Sequence, residues 1–143
     1  MATSAWNKYQ DFSEQLIRGV HDFDAHVFKV ALTNTAPTAT HASLSQITEI
    51  TAGSGYTAGG STTTVSISES AGTTTVQGTE VVFTASGAMA AFRYAVLYND
   101  TATSPADALI AWFDYGSAIN LTAGETFTVR FNNASPGTMF TLA

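Results

Sequence analysis

Six residues, from His21 to His26 with the sequence HDFDAH, hold the side chains that could most readily bind a metal ion. The two histidines offer imidazoles, while Asp22 and Asp24 offer carboxylates, and both groups suit zinc and similar ions. Their spacing matches no established ligand motif, and polar residues gather in any bend between two elements. We therefore predict a solvated turn here, with a metal site as the alternative, and we expect no cofactor.

Acids and serines elsewhere give little support to catalysis. Asp100 and Asp107 lie in a segment of turn-forming residues, which explains them without a reaction. Asp114 lies on an otherwise apolar strand within WFDYG, where a buried carboxylate would need a partner. Arg93 or Arg130 could supply that partner, so we predict a structural salt bridge. No serine lies in a G-x-S-x-G turn, and we expect no catalytic residue and no enzyme activity.

A glycine-rich stretch, Thr51–Thr64, could be read as a phosphate-binding loop. Such a loop needs a strand before it, a helix after it and usually a lysine, whereas threonine-rich β sequence follows here. The phosphate-binding interpretation is therefore rejected. Tyr56, set between glycines, is the most informative residue of the stretch. It can fill a gap in its own domain or meet a partner, because exposed loops often carry contact residues.

Charge and composition exclude several kinds of partner. The net charge is −6, and the five basic residues are scattered singly, so we expect neither nucleic-acid binding nor attachment to an anionic membrane. Cysteine is absent, which removes disulfides and thiolate sites. No apolar run approaches the roughly 18 residues of a membrane span, and no signal-peptide pattern is visible. The chain is expected to be soluble and, at 143 residues, to form one domain.

A central hairpin is predicted from the segment Phe92–Tyr115. Residues Phe92–Tyr98 and Ala108–Tyr115 are apolar on both faces, which is typical of strands covered on each side. Asn99–Asp107 between them is rich in turn-forming residues, so we expect an exposed loop that joins antiparallel neighbours.

The chain before this hairpin opens with a helical pattern. Over Ala5–Val20, aromatic and aliphatic residues recur at three- and four-residue steps, with Ser4 as the expected N-cap and Gly19 near the end. This helix can pack on the sheet of its own domain or dock on a neighbouring subunit. The next segment, His26–Thr33, reads as a strand whose Lys29 faces solvent or a sheet edge.

Short alternating segments follow from Thr63 to the end, and Glu125–Phe131 has the cleanest alternation. About eight short strands behind one amphipathic helix predict a mainly β protein, an antiparallel β-sandwich. We place the N-terminal helix or arm in residues 1–24 and the sandwich in residues 26–143.

The order of motifs along the chain also carries a resemblance. KYQDF and QLIRGVHDF lead into FKVALTNTAPTAT and ITEITAGSGYTAGG, and then into FTASGAMAAFRYAVLYNDTATS and IAWFDYGSAINLTAGETFTVRF. This series resembles small structural proteins encoded in the head-gene regions of tailed bacteriophages, a group that includes capsid decoration, or cement, proteins.

The resemblance implies a protein made in the host cytoplasm that adds to the outer surface of the virion capsid. Its partner would be the major capsid protein, bound by a homotrimer that has no active site and no cofactor. Aromatic residues dominate interface energies, so we expect capsid or inter-subunit contacts in Ala2–Phe12 and Ser54–Gly60. Four aromatic residues are the candidate anchors: Trp6, Tyr9, Phe12 and Tyr56.

Two other functions stay open. A receptor- or glycan-binding module of a head or tail fibre could stack sugar rings on aromatic residues near Tyr98–Asp100. A tail-tube or connector subunit would instead form rings in isolation.

Overall fold

A computed structural model describes residues 2–143. It contains ten β-strands, one α-helix and one short 3-10 helical turn at Leu44–Gln46. In chain order the elements are β1 (Asn7–Lys8), α1 (Gln10–Ile17), β2 (Phe28–Thr33), β3 (Ser61–Thr63), β4 (Val65–Ser70), β5 (Thr73–Gly78), β6 (Val81–Thr84), β7 (Phe92–Thr103), β8 (Ala106–Ile119), β9 (Thr126–Val129) and β10 (Gly137–Leu142).

The prediction of a mainly β, antiparallel fold with one N-terminal helix is confirmed. The largest sheet has five strands in the order β1-β8-β7-β2-β3. A second layer consists of a three-stranded sheet, β10-β5-β4, and a separate pair, β6-β9. Every ladder is antiparallel.

The central hairpin forms as predicted, but its strands are longer than expected. Strands β7 and β8 pair from Phe92 opposite Ile119 to Thr103 opposite Ala106. The expected loop Asn99–Asp107 is therefore wrong, since only Ser104 and Pro105 turn the chain. The first residue of the expected loop, Asn99, is fully buried. Its side-chain amide forms hydrogen bonds within the chain, so burial does not leave this polar group unpaired.

Both faces of this hairpin are covered, as its two-sided apolar pattern predicts. On one face, Leu97 and Ile110 belong to a large core shared with the second layer. On the other face, Val96 and Leu109 pack with Tyr9 and with residues of the 3-10 turn. Leu97 lies opposite Ala111 and Tyr98 opposite Leu109, so Ile110 is the extra residue of a β-bulge.

The N-terminal segment corrects the predicted helix over Ala5–Val20. The helix begins only at Gln10, and Ser4 is not its N-cap: the Ser4 hydroxyl accepts a hydrogen bond from the Asp114 N–H at 2.8 Å. The preceding residues form β1, which pairs with β8 at the edge of the five-stranded sheet. At its other end the helix stops before Gly19, which adopts a positive φ of 78° and so fits the expected terminator.

Lys29 on strand β2 is less exposed to solvent than the sequence predicts. It lies between β7 and the short β3, and Lys29 is half-buried rather than free in solvent. The Lys29 ammonium group pairs with Asp100 at 2.9 Å, a contact across β2 and β7 that offsets its partial removal from water.

Candidate functional site

A groove lies between the consecutive strands β9 and β10. Strand β9 is hydrogen-bonded to β6 and strand β10 to β5, and within residues 2–143 no ladder joins β9 to β10. The two strands converge at their connection, where Gly137 lies directly against the Phe131 carbonyl. Beyond that point they border an open space of about 780 Å³.

Six of the residues that line this groove are aromatic. Trp6 packs edge-on against Phe113 with ring centroids 5.7 Å apart, and it also contacts Phe140. Phe113 contacts Phe131 at 6.0 Å, and Tyr115 contacts Phe127 at 5.8 Å. The groove is thus lined by residues from the segment 2–6, by β7 and β8 of the five-stranded sheet, and by β9 and β10.

A bidentate ion pair lies in the same groove. The Arg93 guanidinium donates to both carboxylate oxygens of Asp114, at 2.8 and 3.0 Å, which confirms the predicted structural salt bridge. Arg93, followed by the Gly116 N–H, holds the pKa of Asp114 below its usual value. Arg130 is the second cation, and its Nε donates to Glu80 at 2.6 Å.

The two basic side chains of the groove are each paired with an acid. Among the described residues, two of the chain's five basic side chains line the groove, Arg93 and Arg130. Only one of the eleven acidic residues, Asp114, does so. Since Glu80, just outside the lining, pairs with Arg130, the two ion pairs of the groove carry no net charge, whereas the whole chain carries −6.

Of the four predicted anchors, Trp6 alone is placed in this groove. Tyr9 is fully buried beside Trp112, and Phe12 packs against Phe23 and Phe140. Their contacts lie within this chain, so a partner would meet these rings only if the N-terminal segment moved. That they anchor a partner stays a prediction.

Tyr56 fills a gap in its own domain, the first of its two predicted roles. Its ring is buried, and its hydroxyl accepts from the Leu32 N–H at 3.1 Å and donates to Glu49 at 2.5 Å. Glu49 also accepts from the Gly59 N–H at 2.7 Å, so the carboxylate ties the glycine-rich loop to the sheet. Burial, then the hydrogen bond to Glu49, raises the pKa of Tyr56 above its usual range.

The HDFDAH segment is not the fully solvated turn that its composition predicts. His21 and Phe23 are buried, because this bend carries the chain across the end of the core. Burial chiefly, followed by the nearby His26, lowers the pKa of His21 to about 4. Among residues 2–143, no three His, Cys, Asp or Glu side chains are grouped so that they could hold a metal ion.

Sequence reasoning missed most of the groove. The alternation over Glu125–Phe131 predicts a strand, and it gives no sign that Phe127 and Phe131 border a groove or that Phe140 lies beside them. All three are part of the groove lining, as is Arg130 from the same alternating segment. The turn-rich sequence NNASPG predicts a connection between β9 and β10. It does not indicate that the two strands separate beyond that connection.

No known protein family, no curated protein and no solved structure matches this chain. None of the helices formed by residues 2–143 has the length and hydropathy that crossing a bilayer requires. The candidate site is therefore defined by its geometry: a groove with aromatic side chains, two ion pairs and strands on both sides.

Proposed function

We propose that this protein is a virion structural protein that binds the outer surface of a tailed-phage capsid and stabilises it. The observation that carries the proposal is the groove between β9 and β10, which offers apolar rings and backbone groups together. Such a surface suits binding to another protein, since aromatic residues and arginine are the residue types enriched in interfaces. The series of motifs that resembles phage head proteins supports the proposed location.

The proposed mechanism is multivalent attachment. A homotrimer would bind several copies of the major capsid protein at once, so that loss of any one contact is reversed before the trimer dissociates. Binding of this kind requires neither an active site nor a cofactor. The net charge of −6 suits a protein outside the capsid, where it has no packaged DNA to neutralise.

The glycan-binding alternative loses the surface on which it was based. Tyr98 and Asn99 are both fully buried, and the Tyr98 hydroxyl donates to the Gly59 carbonyl at 2.6 Å. No sugar ring can stack on a side chain that is covered in this way. We therefore retain capsid decoration as the proposed function.

Sedimentation with capsids tests the proposal directly. Purified protein is mixed with expanded heads that lack it, and the pelleted heads are imaged by cryo-electron microscopy. We expect the protein to pellet with the heads and to add density on their outer surface. Heads that already carry the protein are the control and should take up no more. Protein that stays in the supernatant with intact, expanded heads would contradict decoration.

Light scattering on the isolated protein tests the trimer separately. A mass of three chains is expected, and each chain has a mass of 15.0 kDa. A large closed ring would favour the tail-tube or connector alternative instead.

A further inference from the structure

The His21 ring lies where three parts of the chain meet: α1, the HDFDAH segment and β7. Phe12 of α1 contacts the ring with centroids 5.2 Å apart, and Phe23 contacts it at 6.0 Å. Nδ1 of the ring faces the side-chain amide nitrogen of Asn99 at 3.3 Å. Nε2 is buried and, within residues 2–143, has no hydrogen-bond partner. The ring is therefore packed on both sides and meets a polar group at Nδ1 alone.

The surroundings of this ring suit a neutral imidazole and not a protonated one. Two backbone N–H groups, those of Thr101 and Ala102, donate to the side-chain oxygen of Asn99, so its nitrogen must face His21. An amide nitrogen only donates, whereas a protonated imidazole carries an N–H at both ring nitrogens. At Nδ1 the added proton would oppose another donor, and at Nε2 a buried N–H would lack an acceptor.

Two titratable side chains act on His21 from the parts of the chain around it. His26, in the HDFDAH segment, disfavours a positive charge on the ring, whereas Asp11 of α1 favours one. The Asp22 carboxylate accepts from N–H groups of its own segment, and β7 presents the uncharged amide of Asn99. Burial outweighs the effect of Asp11, and the pKa of His21 falls to about 4.

Residues 10–26, which comprise α1 and the HDFDAH segment, are held by few buried side chains. Only three of them are buried: Phe12, His21 and Phe23. Both phenylalanines pack against Phe140, and Phe23 also stacks on Phe28 with centroids 4.5 Å apart. The eight residues of α1 are fewer than the about 12–15 that an isolated helix needs in water. The position of residues 10–26 thus depends on these three rings.

We propose that residues 10–26 form a pH-sensitive unit, which opens when His21 is protonated while the two layers of strands stay folded. Opening brings the His21 ring into water, where both of its N–H groups can donate. It also uncovers Phe28 and Phe140, against which Phe12 and Phe23 pack in the closed state. This inference is independent of capsid binding, because it concerns a single chain.

The sign of the pH dependence follows from His21. Between pH 6.5 and pH 4 the open state binds a proton that the closed state does not. The ratio of open to closed molecules should therefore rise about tenfold for each pH unit that is lost in this range. Above it neither state is protonated at His21, so the ratio should not change.

Amide hydrogen exchange, followed by NMR and corrected for the intrinsic rate at each pH, tests the opening. The N–H groups of Val20 and His26 donate to the carbonyls of Gln15 and Asp22, each at 2.9 Å, and report on the unit. Their protection factors should lie below those of β7 and β8 and fall about tenfold per pH unit. Protection equal to that of β7 and β8 would mean that only global unfolding opens the unit, and it would overturn the proposal. Protection that does not vary with pH would overturn it too.

Histidine variants show whether His21 causes the dependence. His21→Gln should leave the protection factors of Val20 and His26 constant between pH 6.5 and 4. His41→Gln, at a half-buried position outside the core, should keep the wild-type dependence. A dependence that persists in His21→Gln contradicts the proposal.

The wild-type ring provides a readout that does not require a variant to fold. The ring resonances of His21 and the backbone resonances of residues 10–26 are followed by NMR from pH 7.5 to 4. Protonation of His21 and the shifts of these backbone resonances should share one midpoint below pH 6.5. A ring that titrates near pH 6.5, while the backbone resonances of residues 10–26 stay unchanged, would show that the closed state accepts the proton and would sink the idea.

Discussion

Asn99 donates a hydrogen bond from its side-chain amide to Nδ1 of His26, 2.9 Å away. Its orientation is fixed, because the amide oxygen accepts from the N–H groups of Thr101 and Ala102. The same amide nitrogen lies 3.3 Å from Nδ1 of His21. Because an amide nitrogen can only donate, Nδ1 of a ring that receives this hydrogen bond acts as the acceptor.

Stability should fall with acidification because of His21. In the unfolded chain this ring binds a proton near pH 6.5, whereas burial lowers its folded pKa to about 4. Between these values the unfolded state binds more protons, so the free energy of unfolding decreases as pH falls, by up to about 3 kcal/mol. Urea denaturation at a series of pH values measures the slope.

The histidine variants isolate this effect. His21→Gln removes the titrating group and should flatten the stability profile between pH 6.5 and 4. His41→Gln, at a half-buried position outside the core, serves as the matched control and should keep the wild-type slope. An unchanged slope in His21→Gln would show that other groups cause the pH dependence.

Removal of the Tyr56 hydroxyl should destabilise the protein. Tyr56→Phe leaves the buried Leu32 N–H without its partner and takes one donor from Glu49. An unpaired buried polar group costs about 1–3 kcal/mol, and this is the expected loss in free energy of unfolding. Tyr115→Phe is the control, since this ring is 43% exposed and its change should be close to zero. Equal effects in chemical denaturation would contradict the buried-network account.

Gly60 and Gly72 separate steric overlap from backbone strain. Both adopt positive φ angles, 75° and 84°, but a side chain at Gly60 would overlap the Val30 carbonyl while one at Gly72 meets open space. Gly72→Ala should cost about 1–2 kcal/mol, the price of left-handed backbone. Gly60→Ala should cost about 1–3 kcal/mol more, because the sheet must shift to admit the methyl group. Similar midpoints of thermal unfolding in the two variants would disprove the close approach.

The helix offers a test of which face packs within the chain. Phe12 is 4% exposed, whereas Ile17, near the end of the same helix, is 85% exposed. Phe12→Ala should lower the free energy of unfolding by about 3–5 kcal/mol. Ile17→Ala should change it by less than about 0.5 kcal/mol. A stable Phe12→Ala variant that loses only its oligomeric state would assign Phe12 to a subunit interface instead.

The fold class and the central hairpin follow from the sequence because alternation and two-sided hydrophobicity are local signals. The start of the helix does not follow. Trp6 and Tyr9 fit a helical spacing, yet Trp6 packs beside the large core and Tyr9 on the opposite face of the five-stranded sheet. One face of a helix cannot reach both places, so pairing of Asn7 with Trp112 decides the local structure.

The candidate groove could not be predicted for a related reason. The alternation of Phe127 and Phe131 indicates a strand with an inward face, which is correct for β9. Whether β9 pairs with β10 depends on the close approach of Gly137 to Phe131 and on the angle at which the strands leave it. The spacing of apolar residues in the two segments does not predict that angle.

The separation of β9 from β10 also has a consequence for local motion. The β6-β9 pair is joined to its own layer by no hydrogen-bonded neighbour within residues 2–143, so packing on the five-stranded sheet chiefly holds it. Such a unit can open without unfolding of the whole chain, and its amides should exchange with solvent sooner than those of β7 and β8. The part of the protein that borders the groove is thus also the part that can most easily adjust its width.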